Sequence, residues 1–119
     1  MGLLSKLFGA RNADKNGLPA QEVEVYFEYG STNFQYVYAL GDQIQRAIAE
    51  AKAGEYDGHS IPADGSDGRY FIYGPDAEEI FRVLKPVLEA SPLMRGAKVT
   101  LHYGPRGWRT PKRVVKLPQ

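Results

Sequence analysis

The chain of 119 residues has no cysteine, which excludes disulfides, thiolate metal ligands and thiol catalysis. That absence is compatible with a reducing compartment, and a cytoplasmic location is expected. No apolar run approaches the ~20 residues needed to cross a bilayer, so no integral membrane segment is expected. Near the N-terminus only Leu3-Leu4 and Leu7-Phe8 are apolar, and Lys6 separates them. That is too short for the apolar stretch of a signal peptide. Histidine occurs twice and tryptophan once. Two histidines fall short of a usual zinc set, and no nucleophile-elbow, phosphate-loop or dinucleotide motif is present. The reading therefore assigns no cofactor, no metal and no catalytic residue, and it leans away from an enzyme.

Acid is also missing where base is abundant. Residues 91–119 carry seven bases and no acid, whereas residues 21–90 carry thirteen acids and five bases. The net charge of +1 thus conceals an acidic body and a basic tail, which can dock on each other or on separate partners. Apolar content of 43% and charged content of 24% are ordinary for one globular domain of this length.

What the chain does have is a repeat. Tyr26-Phe27-Glu28-Tyr29-Gly30 is echoed by Tyr70-Phe71-Ile72-Tyr73-Gly74, and each copy closes a strand-like run that leads into a helical one. In the first run Val23, Val25, Phe27 and Tyr29 alternate with Glu22, Glu24, Tyr26 and Glu28, which predicts one core face and one solvated face. Thr32 and Gln35 are spaced as a capping box. Val37, Ile44, Ile48 and Ala51 then step at helical intervals, with Gly41 weakening the start so that order could begin near Asp42. Gly54 reads as the glycine that ends this helix.

Glu55 to Ile61 reads as a weaker strand. Pro62 to Gly68 is a turn by composition, and Arg69 to Tyr73 pairs back as a hairpin, leaving open which of its faces points outward. Ala77, Ile80, Phe81, Leu84, Val87 and Leu88 mark a second helix. Pro75 and the acids Asp76, Glu78 and Glu79 suit its start, and Pro86 is expected to kink it. Ala97 to Tyr103 is the last strand expected.

This order predicts an α+β, ferredoxin-like βαββαβ sandwich. Right-handed crossovers give a four-stranded antiparallel sheet, order 4-1-3-2, with both helices on one face. Residues 1–21 form an N-terminal arm and linker, 22–104 the domain, and 105–119 a basic tail.

The segments Glu55-Tyr56-Asp57-Gly58-His59, Tyr73-Gly74-Pro75-Asp76-Ala77 and Lys98 to Gly104, together with the first pentapeptide, resemble a family of small bacterial proteins. The resemblance spans roughly residues 22–104. It implies a bacterial, cytoplasmic, single-domain protein, and it brings no activity, cofactor or site residue with it.

Three functions compete. The first is association with a protein partner, or with a second copy of the chain, through the open sheet face of Glu22, Glu24, Tyr26, Glu28 and His102. Tyrosine-bearing faces suit interfaces because they offer contact area at low entropic cost, and a carboxylate-rich face could mimic an acidic ligand. The second is nucleic-acid binding by the tail, where Arg106, Arg109, Lys112 and Arg113 surround Trp108. A compensating alternative has Arg113 to Leu117 fold back as a strand. The third is an enzyme or metal site around His59, which shares a strand face with Asp57, or around His102, expected opposite Glu24 or Tyr26. The three carboxylates of the first strand argue against RNA stacking on the sheet. Association is favoured.

Overall fold

A computed structural model describes residues 20–105 and 110–119. The expectations for the arm (1–19) and for Arg106, Trp108 and Arg109 lie outside the described residues. Strand β1 (Gln21–Glu28) keeps the alternation read from the sequence, with Val23, Val25 and Phe27 at most 1% exposed. Helix α1 (Gln35–Ala51) follows, then β2 (Glu55–Ser60), β3 (Asp67–Gly74) and helix α2 (Ala77–Glu89). A 3-10 turn at Pro92–Met94 leads into β4 (Lys98–His102) and β5 (Lys112–Lys116).

All neighbouring strands are antiparallel, in the order β2-β3-β1-β4-β5. The fold is α+β, with two α-helices among the described residues. The expected sheet of four strands is corrected to five, because residues 112–116 pair with β4 along its whole length. The physical reason is hydrogen bonding: β4 would otherwise present an unpaired edge, and the last segment satisfies it.

Both helices pack on one face. Val37, Leu40, Ile44 and Ile48 of α1 and Ile80, Leu84 and Leu88 of α2 share one core with the inward residues of β1, β3 and β4. Each such aliphatic side chain contributes about 1.5–3 kcal/mol on burial. Tyr70 lies at the centre, fully buried. It stacks on Phe27 at 5.3 Å and donates its hydroxyl to the Val37 carbonyl, so the one polar atom it takes inside is satisfied.

Helix boundaries differ from the sequence reading for local reasons. The Thr32 cap is not used; Phe34 is the N-cap residue and caps with no side-chain hydrogen bond, while Asn33 Oδ1 accepts from the Gln35 N–H. Gly41 does not delay α1, because it serves packing: a Cβ there would lie 2.6 Å from the Tyr56 hydroxyl. Lys52, not Gly54, takes the left-handed conformation that ends the helix. Asp76 caps α2 as its side chain accepts from the Glu78 and Glu79 N–H groups, and the helix continues past Pro86. The turn before β3 is latched to the chain leaving β1, with the Gly65 carbonyl accepting from Gly30 and Ser31. Gly65 needs a φ of +69° there, and a Cβ would meet the Ser31 carbonyl at 1.8 Å.

Candidate functional site

Among the described residues no helix lies on the second face of the sheet, and its side chains follow from register. Residues paired across antiparallel strands point to the same side. Glu22 pairs with Tyr73 on one flank and with His102 on the other, and His102 pairs in turn with Lys112. Glu24 lies between Phe71 and Thr100, and Tyr26 between Arg69 and Lys98. The outward face of β3 is therefore Arg69, Phe71 and Tyr73, which decides the alternative the sequence left open.

Three of these groups converge. His102 Nε2 lies 3.7 Å from Glu22 Oε1 and 3.7 Å from Glu24 Oε1. One donor atom from each residue lies within 4.8 Å of the other two. The imidazole is opposite Glu22, two residues along β1 from the expected Glu24 and four from Tyr26, with Glu24 as its diagonal neighbour. The expected solvated carboxylate surface is corrected here. The Glu22 side chain is 3% exposed and that of Glu24 17%; of the three glutamates only Glu28 is exposed.

The face is also less acidic in effect than its composition. Arg69 Nε donates to Glu24 Oε2 at 2.8 Å, and its guanidinium lies 5.0 Å from the Tyr26 ring centroid. The Lys98 ammonium lies 5.7 Å from the same ring. Tyr26 thus sits between two cations, one from each neighbouring strand, in contacts that are favourable to an aromatic face. Its hydroxyl hydrogen-bonds the Asp67 carboxylate, which pushes its pKa above the usual value, with a small push from burial.

The basic tail is divided by the sheet. Lys112 and Lys116 share the face of His102 and Lys98. Arg113 turns to the helix side, where it binds Glu78 of α2 through Nε at 3.1 Å and an NH2 group at 2.7 Å. Tyr103 also donates to Glu78. That hydrogen bond, then the one from Arg113, holds the Glu78 carboxyl below the ordinary range. Lys112 and Arg113 therefore do not form one continuous cationic surface.

His59 is on the other side of the sheet from His102, paired with Tyr70. A bulge between Tyr56 and Gly58 breaks the alternation, so His59 and Asp57 do not share a regular strand face as expected. The imidazole packs 5.2 Å from the Tyr38 ring instead. His59 therefore lies apart from the Glu22, Glu24 and His102 group, on the helix side of the sheet.

Among the described residues no helix is long and apolar enough to cross a membrane. No protein-family model matches the chain, and no curated protein matches it.

Proposed function

We propose that this domain is a non-catalytic association module whose partner is a second copy of the same chain, docked across the helix-free sheet face. The observation that carries the reading is the arrangement of charge on that face. Glu22, Glu24 and Glu28 form a column on β1, while Lys112 and Lys116 lie on β5, two strands away. Between the two lysines Val114 is 50% exposed.

A two-fold axis along β4 exchanges the positions of β1 and β5. Each glutamate column then lies over the lysine strand of the other copy, and the contact is self-complementary, as an isologous interface requires. Facing sheets pack about 10 Å apart, which places Thr100 of both copies at the axis and Val114 of each over Glu24 of the other. An acidic mimic of a basic partner is less well supported, since Glu22 and Glu24 are sheltered and Arg69 pairs with Glu24. The strand order supports a ferredoxin-like sandwich extended by one edge strand.

Sedimentation velocity tests the proposal. The chain should sediment as a dimer that weakens with added salt, because Glu28, Lys112 and Lys116 are exposed and pairs between exposed charges are screened. Lys112→Glu with Lys116→Glu should yield a monomer, and so should Glu24→Lys with Glu28→Lys. Mixing the two variants should restore a dimer. A parent chain that stays monomeric at high concentration, or a dimer indifferent to charge reversal, overturns the reading.

A further inference from the structure

We propose that Glu22, Glu24 and His102 form a binding site for a divalent transition metal, zinc being the best match to the ligand set. The proposal concerns one chain and does not rest on the dimer.

The donor set comes first. One imidazole and two carboxylates match the ligands that zinc accepts, whereas calcium and magnesium favour sites made of oxygen alone. Zinc holds such ligands at about 2.0–2.2 Å, so donors around one tetrahedral ion lie about 3.5 Å apart. His102 Nε2 is already 3.7 Å from an oxygen of each glutamate. The cluster needs only a small closing movement of the two carboxylates.

The imidazole supplies an independent observation. His102 Nε2 is buried and makes no hydrogen bond, and the separation of 3.7 Å is too long for one. A buried ring nitrogen left in this condition costs free energy, and it is placed beside two carboxylate oxygens. A cation at that point would give the nitrogen its missing partner and draw the three groups together.

The support around the site is consistent with this use. Glu22 and Glu24 are two apart on one strand, so their side chains leave the same face of a rigid central strand. His102 is held across from them by the β1–β4 ladder. Arg69 occupies Glu24 Oε2 and leaves Oε1 toward the imidazole, the kind of outer contact that orients a metal ligand. Three protein ligands leave a fourth position for water or for a donor from outside the cluster.

The test uses the untagged full chain and zinc chloride alone, followed by isothermal titration calorimetry. One zinc ion should bind per chain. His102→Ala and Glu22→Gln should each weaken binding by more than about tenfold, and His59→Ala should bind as the parent does. Nuclear magnetic resonance of the unaltered chain provides a readout free of folding defects: zinc should shift the His102 ring signals and leave those of His59 in place. Absence of a one-to-one complex, wild-type affinity in His102→Ala, or a shift at His59 rather than His102 would each overturn the assignment.

Discussion

The two copies of the pentapeptide lie side by side on β1 and β3, yet they face opposite ways. In the first copy Phe27 is buried under the helices and Tyr26 is on the other face, between Arg69 and Lys98. In the second, Tyr70 is the buried residue and Phe71, opposite Glu24, is on the outer face. The first, third and fifth residues of a strand segment share a side. The third residue differs between the copies: Glu28 points out and is exposed, whereas Ile72 points in and is fully buried. One carboxylate against one aliphatic side chain favours opposite phases, in β1 together with the inward Val23 and Val25, because burying an unpaired charge costs far more than exposing an aromatic ring. The likeness is therefore one of composition, and the two segments do different jobs.

The largest effect should come from exchanging that third residue. Ile72→Glu places a charge in the core and should cost at least about 3 kcal/mol, while Glu28→Ile should change stability by no more than about 0.5 kcal/mol. Urea denaturation of both variants measures the contrast. Equal losses would show that the third residue does not set the phase.

The second residue offers a smaller contrast. Phe27→Ala removes a ring that is 1% exposed and stacked on Tyr70, and about 3–5 kcal/mol should be lost. Phe71→Ala removes a half-buried ring from the other face and should cost under about 2 kcal/mol. Similar midpoints for the two variants would mean that the outer face is as well packed as the core.

The first residue separates the copies by titration, with no effect at neutral pH. Burial raises the pKa of Tyr70, and it also raises that of Tyr56, to about 12. In the unfolded chain both hydroxyls would ionise near pH 10. The unfolded state then loses protons first, so stability is intact below pH 10 and falls as pH rises above it. Tyr26 is raised mainly by its hydrogen bond to Asp67. Asp67→Asn should return Tyr26 toward the ordinary value and leave Tyr70 raised, as ring signals followed through an alkaline titration would reveal.

Most of the elements were legible because each depends on local alternation or periodicity. Val23, Val25 and Phe27 declared the inner face of β1, and Ile80, Leu84 and Leu88 that of α2. The outward side of β3 was less legible, since aromatic residues fall on both of its faces and only Ile72 breaks the tie. Strand β5 was only half legible: the sequence offered Arg113 to Leu117 as a strand folding back, beside a solvated tail, and an open edge on β4 is what pairs Lys112–Lys116 into the sheet. The caps of α1 were misread because Gly41 and Gly54 look like breaks, although Gly41 yields space to Tyr56 and Gly54 packs against the Tyr73 backbone.

The candidate site divides along the same line. That Glu22 and Glu24 share a face follows from the two-residue period of any strand, so the sequence alone placed them together. Their meeting with His102, about eighty positions later in the chain, depended on which residue of β4 came to rest opposite which residue of β1. Register is a property of two strands, set by the core side chains beneath them and by the crossovers that deliver them, and only the assembled sheet contains it.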